Sequence, residues 1–118
     1  MKRVALALTA GVIISLAAGT RVAAAQAPDG VALYRQHCRT CHGARGTPTQ
    51  RMMGLYPDLK TLADSALLAG LSVDSIVTVI KKGVGRDMKP YADKLSPEEM
   101  AAVAQFVKTL GRTSAGSQ

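Results

Sequence analysis

The sequence predicts an all-α fold built from one small domain, on three observations. Apolar residues recur at helical spacing, most clearly where Val73, Ile76, Val77 and Ile80 form one stripe. No segment alternates between apolar and polar residues as a half-buried strand does. The chain of 118 residues, less a leader, has the length of one small domain.

The first 25 residues have the order of a secretory signal peptide. Lys2 and Arg3 precede an apolar stretch over residues 4–19, and small residues predict cleavage after Ala25 or Ala27. The domain then covers residues 26–111, and residues 112–118 are predicted to be a disordered tail. The protein is expected to be periplasmic or otherwise exported. An uncleaved leader that anchors the chain in the membrane is the alternative.

Charge and aromatic content argue against a nucleic-acid-binding protein. The chain has 15 basic and 8 acidic residues, and the leader holds three of the basic ones, so the mature net charge is 12 − 8 = +4. The remaining basic residues are scattered, and the chain has only three Tyr and one Phe for stacking on bases. With few aromatics and two cysteines, a bound apolar cofactor would help to complete the core.

In chain order, the first element is a helix over residues 30–37, capped by Asp29. A long loop rich in Gly and Pro follows over residues 43–59, without helical periodicity. A short helix is predicted over residues 60–69, ended by Gly70.

Two longer helices complete the domain. Ser72 caps one that runs to Lys82 and ends at Gly83. A second loop leads to the last helix, in which Ser96, Pro97 and Glu99 form a capping box with proline in the first position. Gly111 is predicted to end this helix. Its buried stripe is formed by Met100, Val103, Ala104, Val107 and Leu110.

Both cysteines lie in the segment Cys38-Arg39-Thr40-Cys41-His42, for which three chemistries compete. A thioredoxin-like disulfide normally accompanies a βαβ pattern, and none is visible. A zinc site needs four ligands, and the one other histidine, His37, is adjacent to Cys38. The C-x-x-C-H spacing is the signature of c-type haem attachment, in which each thiol bonds one vinyl group and the histidine binds the iron. Haem c is therefore the predicted cofactor, with Cys38 and Cys41 as anchors and His42 as the proximal ligand.

A second axial ligand is predicted at Met88. It lies in the second loop between Gly85 and Pro90 and belongs to no helical stripe, whereas Met100 fits a gap-filling core role. Met52 and Met53 are interpreted as loop residues that cover the haem edge. His37 is interpreted as a bystander.

Over essentially all of its mature length the chain resembles the class I c-type cytochromes, the small monohaem electron carriers. The matching segments are "GVALYRQHCRTCHG", "YPDL", "MKPYADKLSPEE" and "VAQFVKTL". The resemblance implies a cytochrome c fold, with about four helices wrapped around one covalently bound haem and its iron. It also implies that Gly30 allows the first and last helices to cross closely, with an aromatic of the last helix, Phe106, packed there.

The resemblance further implies the haem-pocket residues. Tyr34 and Tyr91 stand at the family's aromatic positions, and Pro57 and Leu59 match its Pro-x-Leu segment. In the family the proline carbonyl accepts a hydrogen bond from the proximal histidine. Pro48 is a rival of Pro57 for that role, since the loop containing Met52 and Met53 is longer than in many relatives.

The function implied is one-electron transfer between redox partners of a respiratory or related chain, without catalysis. The basic residues near the second loop, Lys81, Lys82, Arg86, Lys89 and Lys94, predict a partner with an acidic docking surface. A monomer without stable membrane insertion is expected. The alternatives are a haem c subunit dedicated to a larger dehydrogenase or oxidase and a haem sensor or peroxidase-like enzyme.

Overall fold

The described part of the chain contains six helical segments, most of them joined by loops. The computed structural model describes residue 19 and residues 25–115, so most of the predicted leader and residues 116–118 lie outside it. The helices are α1 (Gly30–His37), α2 (Arg39–His42), α3 (Gln50–Leu55), α4 (Ser65–Ala69), α5 (Val73–Lys82) and α6 (Pro97–Ala115). Within those residues, β pairing is limited to an isolated bridge between Val84 and Met88. The all-α prediction is confirmed.

Three helices begin where their capping residues predict. The Asp29 carboxylate accepts the backbone N–H of Val31 at 3.0 Å at the start of α1, and the Ser72 hydroxyl caps α5 in the same way. At α6 the capping box is reciprocal. The Ser96 hydroxyl accepts the N–H of Glu99 at 3.1 Å, and the Glu99 carboxylate accepts the N–H of Ser96 at 2.8 Å.

Two predictions for the segment between the cysteine motif and α5 are wrong. The first loop contains α3, which Thr49 caps by accepting the N–H of Met52 at 3.3 Å. Six residues are too few to display a helical period, which is why the sequence pattern did not indicate this helix. The helix predicted over residues 60–69 begins only at Ser65, because the Asp64 carboxylate caps it there.

The core lies along α6, against which α1, α4 and α5 pack. All five residues of the predicted α6 stripe are buried. At the crossing of α1 and α6, a Cβ atom on Gly30 would overlap the carbonyl oxygen of Ala102. The predicted role of Gly30 in allowing close approach is therefore confirmed.

Gly111 does not end α6 as predicted, since the helix continues to Ala115. A Cβ atom at Gly111 would lie 3.0 Å from Leu68 Cδ1 and 3.2 Å from Ser65 Cα, so this glycine lets α4 pack closely on α6. The Lys108 ammonium group also connects α6 to the α4 segment, because it donates hydrogen bonds to the carbonyls of Leu68 and Leu71. The predicted disordered tail is therefore helical over residues 112–115.

None of the helices in the described part of the chain has the length and apolar character needed to cross a membrane.

Candidate functional site

The cysteine motif forms a single helical turn directly after α1. Cys38 is the C-cap of α1, and α2 carries Cys41 and His42. The N–H of His42 donates to the carbonyl of Cys38 at 3.0 Å, which closes the turn. Gly43 ends it with φ of 79°, a conformation that favours glycine. Residues three apart on a helix are neighbours on its surface, so the two cysteines lie close together, although Cys38 lines the adjoining cavity and Cys41 does not.

An apolar cavity joins this turn to distant segments. Its walls come from α1, α2, α5, α6, the loop before α4 and the loop after α5. They are formed by Tyr34, Cys38, His42, Leu62, Ile76, Val79, Ile80, Met88, Val103 and Val107. The structure thus brings together three of the predicted ligand and anchor residues, Cys38, His42 and Met88.

The imidazole of His42 suits a metal ligand. Burial lowers the pKa of His42 below its ordinary value, while the backbone of Lys60 opposes that change. A histidine binds metal as the neutral imidazole, which a lowered pKa favours. Its buried Nδ1 atom has no hydrogen-bond partner in the described structure. A histidine that binds a metal usually donates its other ring N–H to a carbonyl or carboxylate, and the backbone of Lys60 lies close enough to act on this ring.

The thiol of Cys38 is poorly suited to redox exchange. Burial, followed by the neighbouring Cys41, raises the pKa of Cys38 to about 11. Dithiol exchange requires a thiolate, and reactive cysteines have lowered pKa values instead. This observation favours the anchor interpretation over a disulfide couple.

Met88 is held in a short loop after α5. The N–H of Val84 donates to the carbonyl of Met88 at 2.8 Å, and the N–H of Met88 donates back to Val84 at 3.2 Å. Gly83 allows this closure, because its φ is 72° and a Cβ atom there would overlap the Met88 carbonyl oxygen. The Met88 side chain is half-buried and packs against the hydrophobic core.

Two tyrosine hydroxyls donate to the backbone at opposite ends of the cysteine motif. Tyr34 is fully buried, lines the cavity and donates to the carbonyl of Gly43 at 2.8 Å. Tyr91 donates to the carbonyl of His37 at 3.0 Å and lies outside the cavity lining. Its ring is 5.8 Å from the His37 ring, edge to face.

The predicted Pro-x-Leu segment is displaced from the cavity. Pro57 is exposed, and neither it nor Leu59 lines the cavity, whereas Pro48 is buried. Leu62 occupies the wall instead, and the backbone that acts on His42 is that of Lys60. Met52 and Met53 are half-buried on α3 and are also absent from the lining.

Six wall residues were not predicted as site residues. Ile76 and Ile80 belong to the apolar stripe of α5, and Val103 and Val107 belong to that of α6. The helical period therefore predicted that these residues are buried, but not that they line a cavity. Val79 and Leu62 had no signal in the sequence. Their positions depend on how α5 and the loop before α4 are placed in the fold.

Residues 25–107 match the family model described as "Cytochrome C oxidase, cbb3-type, subunit III". This range includes the cysteine motif, the Met88 loop and most of α6.

Among curated proteins, the chain is similar to chloroplastic cytochrome c6 of Chlamydomonas reinhardtii, with 34% identity over 108 residues. This match covers 87% of the chain and 66% of that protein. It is also similar to the cbb3-type cytochrome c oxidase subunit FixP of Azorhizobium caulinodans, with 33% identity over 85 residues. That match covers 72% of the chain but only 27% of FixP, so the chain spans about a quarter of that subunit.

Among solved structures, the chain is similar to the KustC0563 c-type cytochrome, with 39% identity and a TM-score of 0.63. The match covers 70% of this chain and 96% of that one. A mutant of the same Kustc0563 protein gives a TM-score of 0.62 at 38% identity, covering 70% of this chain and 98% of that one.

Proposed function

This chain belongs to the cytochrome c family, whose domains bind covalent haem c, and we propose that it is a periplasmic one-electron carrier with His42 and Met88 as axial iron ligands. The observation that carries the proposal is the shared apolar cavity, in which Cys38, His42 and Met88 meet. The residues present fit haem c, since the Cys38 thiol and the neutral imidazole of His42 line an apolar cavity and Cys41 lies in the same helical turn as His42.

When bound, the haem iron supplies a reversible change of one electron. The side chains of this protein set the conditions for that change. The Met88 thioether is a weak electron donor, and His/Met ligation raises the potential of cytochromes c. The apolar walls contributed by Ile76, Ile80, Val103 and Val107 disfavour the additional positive charge of the oxidised state. If His42 and Met88 both held the iron, oxygen and peroxide would find no open ligand position there.

The basic residues near the Met88 loop support the proposal that the redox partner has an acidic docking surface. Lys81, Lys82, Arg86, Lys89 and Lys94 are all exposed. Val84 is 56% exposed between them in sequence, which leaves an apolar side chain within a basic segment. Long-range attraction speeds the encounter of such a segment with an acidic surface and is weakened by salt. Redox proteins meet their partners through small interfaces. We therefore propose that this protein is a monomer that forms a transient complex with its redox partner.

The proposed location follows from the leader. Its basic start, apolar stretch and small residues before Ala25 or Ala27 support export and cleavage, so the mature carrier would have no lasting membrane insertion. The mature domain would begin near residue 26.

A second candidate is a haem c domain dedicated to one large complex. The similarity to FixP favours it, because FixP is named as a subunit of a cbb3-type oxidase and the matching family model is described in the same terms. Stable co-purification with a large catalytic chain would identify this case, whereas a free carrier purifies alone.

The proposed ligation is tested by comparing the mature holoprotein with its Met88→Ala variant and, as a control, Met100→Leu. The wild type is expected to show the far-red band of a thioether bound to ferric iron, and its ferrous form should bind carbon monoxide slowly. Met88→Ala should lose the band and bind carbon monoxide rapidly, while Met100→Leu should keep the wild-type behaviour because Met100 is buried in the core. Rapid carbon monoxide binding by the wild type would instead favour a haem sensor or a peroxidase-like enzyme.

A further inference from the structure

Tyr91 connects the loop that carries Met88 to the segment that carries the cysteines. Its hydroxyl donates to the carbonyl of His37 at 3.0 Å. His37 is the last residue of α1 and directly precedes Cys38. Tyr91 itself follows Met88 by three residues. One side chain therefore spans the two parts of the sequence that are proposed to hold the iron.

The backbone around Tyr91 fixes the direction of its ring. The N–H of Tyr91 donates to the carbonyl of Ile80 at 3.1 Å, which attaches it to α5. Its carbonyl accepts the N–H groups of Lys94 at 2.9 Å and Leu95 at 3.0 Å. The Lys94 ammonium group lies 5.5 Å from the ring centroid. These contacts hold the ring with its hydroxyl at the carbonyl of His37, the last residue of α1.

The hydrogen bond from Tyr91 to His37 reaches a different helix from the other contacts that hold Met88. The bridge to Val84 and the bond to Ile80 tie the Met88 segment to α5 and its own loop. The hydroxyl of Tyr91 is the group that carries a hydrogen bond from this segment to α1. Burial raises the pKa of Tyr91, so the hydroxyl stays protonated and remains a donor at neutral pH.

We propose that Tyr91 is a positioning residue whose hydroxyl holds the Met88 segment at the distance from the cysteine motif that a thioether–iron bond requires. The proposal rests on the proposed assignment of Met88 as the distal ligand. The loss of one intramolecular hydrogen bond corresponds to roughly a threefold to tenfold change in an equilibrium. We therefore expect the fraction of protein with Met88 off the iron to rise by about that factor when the hydroxyl is removed.

The test compares Tyr91→Phe with Tyr56→Phe in the holoprotein. Both changes delete one tyrosine hydroxyl, but it is the Tyr91 hydroxyl that donates to the carbonyl of His37, at 3.0 Å. Tyr56 is half-buried at the end of α3 and does not line the cavity, so it controls for the loss of a hydroxyl elsewhere in the domain. Tyr91→Phe should weaken the far-red band and increase carbon monoxide binding to the ferrous form by about threefold to tenfold. Tyr56→Phe should leave both quantities at the wild-type level.

The proposal is overturned if Tyr91→Phe matches the wild type, or if both variants change by the same factor. Amide hydrogen exchange at Val84 and Met88 provides a readout that does not depend on iron ligation. Faster exchange there in Tyr91→Phe than in Tyr56→Phe supports positioning of the segment, and equal exchange contradicts it. If Met88→Ala retains the far-red band, the ligand assignment in the proposed function fails, and the exchange comparison still decides the role of Tyr91.

Discussion

The rings of Tyr34 and Phe106 meet edge to face where α1 crosses α6, with centroids 5.1 Å apart and planes inclined by 65°. This pair lies beside the point where Gly30 touches the backbone of α6, and the Tyr34 hydroxyl continues to the carbonyl of Gly43. The helix crossing is thereby linked to the end of the cysteine motif. A change at the crossing should consequently affect both stability and the motif.

Removal of the Phe106 ring should destabilise the domain. Phe106 is half-buried, so we expect Phe106→Ala to lower the free energy of unfolding by roughly 2–4 kcal/mol, from lost burial and the lost aromatic pair. Denaturant unfolding of the holoprotein measures this quantity. Leu55→Ala, at a side chain that is 58% exposed, is the control and should change it much less. Equal effects of the two substitutions would contradict the importance of the crossing.

A methyl group at Gly30 should separate α1 from α6. Its Cβ atom would overlap the Ala102 carbonyl, a backbone atom that cannot rotate away, so Gly30→Ala should cost about 1–3 kcal/mol of unfolding free energy. Gly54→Ala is a matched control, because Gly54 is also helical and a Cβ atom there meets nothing within 4 Å. The control should be neutral or stabilising by up to about 1 kcal/mol. A neutral Gly30→Ala variant would show that the close approach is not required.

Substitutions in the cysteine motif should separate attachment from ligation. Cys38→Ala leaves one thiol, so intact mass should show at most one thioether link and a reduced yield of holoprotein. His42→Ala removes the proposed proximal ligand and should give no stable holoprotein. His37→Ala is the control, since His37 is adjacent to the motif but does not line the cavity. A His37→Ala variant with the same loss as His42→Ala would contradict the assignment.

Haem removal should loosen the core. Ile76, Ile80, Val103 and Val107 belong both to the core and to the cavity wall, so a cofactor bound there would complete the packing around them. The haem-free protein should have less helix by circular dichroism and a broad, non-cooperative unfolding transition. An apoprotein that unfolds as cooperatively and at the same denaturant concentration as the holoprotein would refute this expectation.

Charge reversal near the Met88 loop should slow electron transfer to an anionic acceptor. Lys82→Glu should lower the rate constant for oxidation by hexacyanoferrate(III) at low ionic strength by roughly threefold or more. The difference from wild type should shrink in high salt. Arg35→Glu makes the same change of charge at an exposed residue on α1 and should have a smaller effect. Equal decreases of the rate constant in the two variants would show that net charge matters and the position of the charge does not.

Local features of the fold were predictable because their causes lie within a few residues. Asp29, Ser72 and Ser96 cap helices through side chains that reach only two or three positions along the chain. The six-residue α3 carries too little pattern to predict. Gly111 was misjudged because a glycine that ends a helix and one that admits a neighbour look the same in sequence, and only the approach of Leu68 distinguishes them.

By itself, the sequence determined the helical class, the cofactor motif at Cys38, Cys41 and His42, and the candidate Met88. These features can be recognised from the order and spacing of residues along the chain, without knowing which distant segments touch. The tertiary structure decided that Leu62 rather than Pro57 forms the cavity wall, and that the Tyr91 hydroxyl reaches His37. Such contacts join segments far apart in sequence, and their distances are set by how α1, α5 and α6 pack together.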